Sequence, residues 1–212
     1  MIVYGSTISP FVRKVHVAAA EKGIEITAQP INPMQPSEEF IACSPFRKIP
    51  ALKDGDFQIC DSSAIVHYFE ALKPDPALIP AEAKARARTI WLEEFADTIM
   101  VAAGAKMFFN RVVAPRFLGR DGDLAAADKA EREELPPILD YVEGIVPEAG
   151  GFLVGESLTL ADIAVASPFA NFGYMDIDLS RWPKAAAYAQ AILARPSFQA
   201  PMETERRILG RA

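Results

Sequence analysis

The chain has 212 residues, of which 50% are hydrophobic and 24% are charged, and this composition excludes intrinsic disorder, collagen and coiled coil. A chain of this length buries roughly 70% of its unfolded surface, so it needs no disulfide or metal to fold. The net charge of −6 argues against a nucleic-acid-binding protein, which normally presents a basic face.

Cysteine and histidine are scarce, with two of each: Cys43, Cys60, His16 and His67. Their spacing matches no metal-ligand pattern, so the sequence predicts no metal site and no Ser-His-Asp triad. The first residues lack a basic segment followed by a long apolar run, and no apolar stretch approaches the ~18 residues that span a membrane. We therefore expect a cytoplasmic protein without a membrane partner.

The first 31 residues predict a strand, a helix and a second strand. Residues 2–4 are rich in β-formers and end at Gly5. Apolar residues then recur at helical spacing from Phe11 until Gly23, and residues 24–31 alternate as a strand. Because a strand–helix–strand unit joins parallel strands, this half predicts a parallel crossover.

The following residues predict a short helix, a hairpin and a further helix on the same sheet. The short helix opens at Ser37, and residues 51–59 form a hairpin around the turn Asp54-Gly55. A helix capped at Asp61 comes next, with its apolar residues on one face. The small sheet is therefore expected to mix parallel and antiparallel pairs.

The pattern changes near residue 80. Residues 73–80 contain three prolines, which a helix interior does not tolerate, so this stretch is a linker. Helical patterns follow over 81–111, 123–146, 160–170, 182–194 and 197–209. The pair Pro136-Pro137 is expected to distort or split the second of them. The sequence predicts an α/β domain over 1–80 and an all-α domain over 81–212.

The motif Ser9-Pro10-Phe11-Val12 lies between the first strand and the first helix. Pro10 suits the first helical turn, which places Ser9 at the cap, beside free backbone N–H groups and the positive end of the helix dipole. Two interpretations follow. Ser9 is a helix cap, or its hydroxyl acts on an anionic ligand.

The motif Arg47-Lys48-Ile49-Pro50-Ala51-Leu52 precedes the third strand. A proline at this point can be cis, which would turn the N–H and C=O of Ile49 outward to pair with an extended ligand. The alternative is a trans proline that only delays the strand.

The motif Asp61-Ser62-Ser63 opens the third helix. It is a capped helix start, or a site for an amino-acid-like zwitterion. In the second interpretation Asp61 takes the ammonium group, and Ser62 with the helix end takes the carboxylate.

A fourth motif, Ser157-Leu158-Thr159-Leu160-Ala161-Asp162-Ile163, has a structural meaning. Thr159 with Asp162 forms a capping box, and Leu158 with Ile163 forms the accompanying hydrophobic staple. The motif predicts the start of a buried helix.

These four motifs, in this order, resemble the cytosolic glutathione transferases, and the resemblance covers nearly the whole chain. It implies a thioredoxin-like N-terminal domain followed by an all-helical glutathione transferase C-terminal domain. Where thioredoxins carry C-x-x-C this chain has Ser9 to Val12, so dithiol chemistry is excluded there. The serine in place of a cysteine resembles the serine-type classes of the family.

The resemblance implies that glutathione is the co-substrate, that no metal takes part, and that the catalytic hydroxyl of Ser9 stabilises the glutathione thiolate. Tyr4 is the rival, because other classes use a tyrosine at the end of the first strand. Lys48 is the first candidate cation for the glycyl carboxylate, and Arg47 is the second. The residues expected to bind glutathione are Phe11, Lys48, Ile49, Pro50, Asp61 and Ser62.

The second substrate is expected between the domains, near Met107, Phe108 and Arg111. The resemblance implies transfer of glutathione to a small hydrophobic electrophile in detoxification, by a homodimer. Hydroperoxide reduction, isomerisation, dehalogenation and ether cleavage need the same thiolate, so they remain alternatives. A non-catalytic glutathione-binding interaction protein is a third possibility.

Overall fold

A computed structural model describes residues 1–147 and 150–211. The chain folds into two compact units, one made of residues 1–79 with the residues from 195 onward, the other of residues 80–194. The sequence predicts a division at residue 80 and assigns everything after it to the helical domain. The C-terminal helix instead groups with the first unit, because it packs against the first helix of the chain.

The first unit contains a four-stranded mixed sheet, as the sequence predicts. Its strands are β1 (Ile2–Tyr4), β2 (Thr27–Gln29), β3 (Ala51–Asp54) and β4 (Phe57–Cys60), in the order β2-β1-β3-β4. β1 pairs in parallel with β2 and antiparallel with β3, and β3 and β4 form the hairpin. β2 is shorter than the predicted 24–31, because its partner β1 offers only three residues to pair with.

The helices of the first unit are α1 (Pro10–Glu21), α2 (Glu38–Cys43), α3 (Ser62–Leu72) and the C-terminal α11 (Pro196–Ile208). α1 ends just before Gly23, as the sequence predicts, and Gly23 has a φ of +59°. The N–H of Gly23 donates to Ala20 O and that of Ile24 to Ala19 O, which is the Schellman arrangement that favours glycine.

The two faces of the sheet bury different residues. Tyr4 and Ala51 lie in one core cluster with Phe40 and Cys43 of α2. Because side chains alternate along a strand, the fully buried Val3 faces the opposite side of the sheet from Tyr4. The sheet is thus covered by α2 on the Tyr4 face.

The second unit is helical. Residues 83–117 form one continuous helix, in which α4 (Ala83–Glu94), α5 (Val101–Phe108) and α6 (Ala114–Phe117) are joined by π-helical segments at Phe95–Met100 and Phe109–Val113. It extends beyond the predicted end at residue 111. The remaining helices are α7 (Leu124–Lys129), α8 (Leu135–Ile145), α9 (Leu160–Tyr174) and α10 (Pro183–Leu193).

The proline pair acts close to where it is expected. A π-helical segment, Ala130–Glu134, separates α7 from α8, and Pro136 and Pro137 lie in the first turn of α8. Because helical backbone precedes α8 without a break, each proline lacks an N–H that would have bonded within the preceding turn. The predicted distortion is confirmed and falls just before the prolines.

α9 forms the buried centre of the second unit, and its predicted capping box is confirmed. Asp162 is fully buried and its carboxylate accepts from Thr159 N at 2.8 Å, from Leu153 N at 2.8 Å and from Tyr188 Oη at 2.7 Å. Leu158 and Ile163 are both buried, and their contact as a staple stays a prediction. In the described part of the chain, no helix is long and apolar enough to cross a membrane.

Candidate functional site

The turn after β1 lies directly against the segment before β3. Gly5 has a φ of +128°, and a Cβ built there would lie 2.7 Å from Val12 Cγ2 and 3.1 Å from Ile49 Cβ. Only glycine combines this conformation with so close an approach. The turn that leads to Ser9 is therefore held beside Ile49.

Two hydrogen bonds connect the motif Asp61-Ser62-Ser63 to α1 and to the segment at Pro50. The N–H of Asp61 donates to Pro50 O at 3.3 Å, which joins the start of α3 to the start of β3. Lys14 Nζ donates to Ser63 Oγ at 3.3 Å, which joins α1 to the first turn of α3. The three motifs thus form one continuous region of the first unit.

Ser9 occupies the N-cap position of α1, but its side chain does not cap the helix. The backbone forms the turn: Ser9 N donates to Ser6 O at 3.0 Å, and Ser9 O accepts from Arg13 N at 2.9 Å. The half-buried hydroxyl makes no hydrogen bond to the first-turn N–H groups. Both the hydroxyl and the positive helix end are therefore available to an anion.

Tyr4, the rival for the catalytic hydroxyl, is a core residue. Its ring packs against Phe40 at a centroid distance of 5.9 Å. Its hydroxyl is buried and has no hydrogen-bond partner among the described residues. Burial and, after it, the nearby charge of Glu39 raise the pKa of Tyr4, so this phenol is kept protonated.

The Ile49–Pro50 peptide is cis, which confirms the first alternative for the proline, while the pairing of Ile49 with a ligand stays a prediction. Neither backbone group of Ile49 forms a hydrogen bond within the described chain. The preceding loop is fixed by Ser44, which is fully buried. Its Oγ donates to Lys48 O at 2.8 Å and accepts from Lys48 N at 2.9 Å. The cations Arg47 and Lys48 are exposed on this loop.

Ser44 is a residue that sequence reasoning missed. Its hydroxyl closes a loop between two elements, where no periodic pattern distinguishes it from other serines. The second cis peptide, Asp75–Pro76, was likewise not foreseen within the proline-rich linker.

Asp61 caps α3, as the structural interpretation of its motif predicts. Its Oδ1 accepts from Ser63 N at 2.9 Å and Ala64 N at 3.1 Å. Both bonds go to one oxygen, so the cap does not use Oδ2 of this exposed carboxylate. Asp61 has a φ of +87°, which is uncommon for a residue with a Cβ and is typical of binding and catalytic sites. Ser62, the next residue, is buried.

The residues expected at the electrophile site make core and ion-pair contacts. Met107 and Phe108 are buried. Arg111 Nη2 lies 2.7 Å from Asp128 Oδ1, and Nη1 pairs with Glu131. Burial lowers the pKa of Arg111, but the two carboxylates outweigh burial and raise it. A role for these three residues toward a substrate stays a prediction.

Metal-binding chemistry has no candidate in residues 1–147 and 150–211, where no group of three or more His, Cys, Asp or Glu side chains could hold an ion. Cys43 and Cys60 are free thiols.

Comparison with known proteins identifies the family. Residues 3–77 match the model of the glutathione S-transferase N-terminal domain, and residues 110–205 match that of the C-terminal domain. A glutathione S-transferase of Hyoscyamus muticus is 32% identical over 214 residues, covering 96% of this chain and 98% of that protein. The chain belongs to the glutathione S-transferase family.

The chain is also similar to a family member with a different name and to a solved structure of the family. The maleylacetoacetate isomerase of Rattus norvegicus is 30% identical over 191 residues, covering 88% of this chain and 84% of that protein. Among solved structures, a glutathione S-transferase from Rhodospirillum rubrum F11 superimposes with a TM-score of 0.85 at 25% identity, covering 94% of this chain and 90% of that one. This family member therefore has relatives named for transfer and for isomerisation.

Proposed function

We propose that this protein transfers glutathione to a small hydrophobic electrophile and that Ser9 is its catalytic residue. The observation that supports this most is the hydroxyl of Ser9, which lies at the N-terminus of α1 without capping it. A free thiol has a pKa of about 8.5 and is mostly protonated at neutral pH. A hydroxyl and a helix N-terminus that both donate toward the sulfur would lower that value and raise the thiolate fraction.

The other motif residues fit the ends of the tripeptide. Asp61 Oδ2, which the helix cap leaves unused, suits the α-ammonium of the γ-glutamyl residue. Ser62 and the N-terminus of α3 suit the adjacent carboxylate. The unpaired backbone groups of Ile49 suit the cysteinyl main chain, in the manner of an added strand.

The glycyl end would meet the exposed cations of the loop before β3. Lys48 is preferred over Arg47 because it adjoins Ile49 directly, whereas Arg47 is one residue further away. Phe11, half-buried in the first turn of α1, would lie on the sulfur side of the tripeptide. With every end of glutathione held, the thiolate is oriented for attack as well as activated.

Tyr4 is not assigned the catalytic role. A group that stabilises a thiolate by donating a hydrogen bond must reach solvent or ligand, and the Tyr4 hydroxyl is buried in the core cluster beneath α2. Ser9, in contrast, is half-exposed, so its hydroxyl is accessible to a ligand.

Isomerisation is a second candidate, supported by the 30% identity with maleylacetoacetate isomerase. It uses the same thiolate but regenerates it, whereas transfer consumes glutathione. The two are separated by counting thiols. With 1-chloro-2,4-dinitrobenzene, transfer consumes one thiol per product, whereas isomerisation of maleylacetoacetate gives many products per glutathione added.

We also propose that the protein is a cytoplasmic homodimer, in keeping with the family. Light scattering at micromolar concentration tests the assembly, and a monomeric mass would refute it.

The proposed role of Ser9 is tested with Ser9→Ala, and Ser6→Ala in the same turn is the matched control. We expect kcat/KM for conjugation at pH 7 to fall about 10- to 100-fold, because the pKa of the bound thiol rises by about one to two units. The acidic limb of the pH–rate profile moves to higher pH by the same amount, while Tm barely changes, since the hydroxyl makes no cap bond. A profile that moves in neither Ser9→Ala nor Tyr4→Phe would assign thiol activation to the helix end alone.

A further inference from the structure

The two cysteines of the chain lie on the same face of the sheet. Cys60 is the last residue of β4 and pairs in register with Ala51 of β3. Residues directly opposite each other on antiparallel strands have their side chains on one face. Ala51 belongs to the core cluster that also contains Cys43, and Cys60 packs against this cluster. The two thiols therefore share one cluster beneath α2.

The C-terminal end of α2 is held beside the start of β3. Ser44, the residue after Cys43, bonds through its Oγ to both backbone groups of Lys48, and β3 begins three residues later. At the other end of α2, Lys53 Nζ donates to Glu39 Oε1 at 3.3 Å. α2 thus runs antiparallel to β3. Its last residue, Cys43, lies toward the end of the sheet at which β4 finishes.

The two thiols differ in their access to solvent. Cys43 is 3% exposed, whereas Cys60 is half-buried. Burial raises the pKa of Cys43, Lys53 opposes this effect, and the nearby Glu39 and Cys60 add to it. The thiolate is the reactive form of a cysteine. A reagent from solvent therefore meets Cys60 first, with Cys43 held behind it as a protonated thiol.

We propose that Cys60 and Cys43 are a redox-sensitive thiol pair, which small disulfides convert into an intramolecular disulfide. The thiolate of Cys60 attacks one sulfur of the small disulfide, forms a mixed disulfide and releases one thiolate. That thiolate takes the proton of Cys43. The sulfur of Cys43 then attacks that of Cys60 and releases the second small thiol. Two protein thiols are oxidised, and the small disulfide is reduced to two thiols.

The disulfide would tie α2 to β4. α2 has only six residues, of which Phe40 and Cys43 are buried, and its ion pair from Glu39 to Lys53 lies near the surface. A bridge between Cys43 and Cys60 limits the local opening of such a short helix. Neither cysteine has a role in the proposed glutathione transfer, so this inference does not depend on that function.

The test exposes the folded, full-length protein to 2-hydroxyethyl disulfide, with mass spectrometry under non-reducing conditions as the readout. We expect each chain to lose two hydrogen atoms and to keep no adduct. Trypsin cleaves after Arg47 and Lys53, so the peptides that carry Cys43 and Cys60 should remain joined only by the disulfide. A stable mixed disulfide on Cys60, a disulfide between two chains, or two unreacted thiols would each overturn the proposal.

Hydrogen exchange measures the effect on α2. In the oxidised protein, the amides of residues 38–43 should exchange at least about tenfold more slowly than in the reduced protein. The amides of α9 are the internal control and should not change. Equal exchange of residues 38–43 in both forms would contradict the proposed link between α2 and β4.

Two variants test the order of the steps. Cys43→Ala should stop at the mixed disulfide and gain one adduct per chain, because no second thiol is present to displace it. Cys60→Ala should react at least about tenfold more slowly than the wild type, because the remaining thiol is buried. Equal rates for Cys60→Ala and the wild type would overturn the assignment of Cys60 as the first nucleophile. The wild-type measurement decides the proposal even where a variant fails to fold.

Discussion

Arg13 and Glu205 lie 192 positions apart in the sequence and form a fully buried ion pair, with Arg13 Nη2 2.6 Å from Glu205 Oε2 and Arg13 Nε 3.0 Å from Oε1. A second ion pair joins the C-terminal end of α1 to the start of α11, where Arg195 Nε donates to Glu21 Oε1 at 2.8 Å. Burial alone would raise the pKa of Glu21, but the hydrogen bonds from Arg195 and Ser197 outweigh it and lower that pKa. The C-terminal helix thereby fixes the helix whose N-terminus carries Ser9.

Glu205→Met tests the buried pair. It leaves the guanidinium of Arg13 buried without its carboxylate, which typically costs about 3–5 kcal/mol of unfolding free energy. The double variant Arg13→Met/Glu205→Met should recover most of that loss, because no charge is then left unpaired. Urea denaturation of the wild type, of Glu205→Met and of the double variant measures the effect. Equal stability of Glu205→Met and wild type would contradict the assignment.

Asp61→Asn separates the two roles of this residue. Asparagine keeps an Oδ1 that accepts from Ser63 N and Ala64 N, and it tolerates a positive φ, so Tm should change little. It removes the charge proposed to hold the ammonium group, so the Kd for glutathione should rise at least about tenfold. Calorimetry and thermal unfolding provide the two readouts. Undiminished affinity would leave Asp61 as a helix cap only.

Tyr4→Phe removes a hydroxyl that is buried without a partner. We expect stability to stay the same or to increase by up to about 1 kcal/mol, because a desolvated polar group is lost and no hydrogen bond is broken. The pH–rate profile for conjugation should be unmoved. A profile that shifts in Tyr4→Phe, and not in Ser9→Ala, would identify Tyr4 as the catalytic hydroxyl.

His16 predicts a pH dependence of stability. Its pKa is lowered from 6.5 to about 4 in the folded protein, so the unfolded state binds more protons between these values. Stability is therefore fully present above pH 6.5 and is lost progressively as the pH falls toward 4, by about 3 kcal/mol at most. Glu205 on α11 opposes this lowering of the pKa, and Glu205 is paired with Arg13, which lies three residues before His16 on α1.

The pH effect is measured as the difference in unfolding free energy between the wild type and His16→Gln, from pH 7 to pH 4. Subtracting the variant removes the contributions of the other titrating groups. The advantage of the wild type should shrink as the pH falls. A difference independent of pH would show that His16 is not buried in its neutral form.

Several elements could be predicted from the sequence because their causes are local. The turn at Gly23 ends α1 through bonds from Gly23 N to Ala20 O and from Ile24 N to Ala19 O, which span three and five positions. In the capping box of α9, Asp162 accepts from Thr159 N three positions earlier. The mixed sheet also follows from short-range patterns of residues, whereas those patterns left open whether the peptide before Pro50 is cis or trans. The order of these motifs along the chain was sufficient to place it in its family.

The extent of the candidate site could be predicted only in part. The positions of Ser9 and Asp61 at helix starts follow from capping preferences, which depend on residue type. Sequence alone could not decide that Asp61 bonds to its helix while Ser9 does not, because that depends on the side-chain direction that neighbouring segments allow. The same holds for Tyr4, whose strand position is evident but whose burial under Phe40 is a tertiary contact.

By itself, then, the sequence determined the elements, the domain types and the family, since periodicity, capping and turn chemistry act between residues a few positions apart. Only the tertiary structure decided that α11 joins the first unit, because the bonds of Arg13 to Glu205 and of Arg195 to Glu21 connect residues more than 170 positions apart. Long-range contacts of this kind depend on how separate helices pack in space, and no local pattern of residues encodes the pairing.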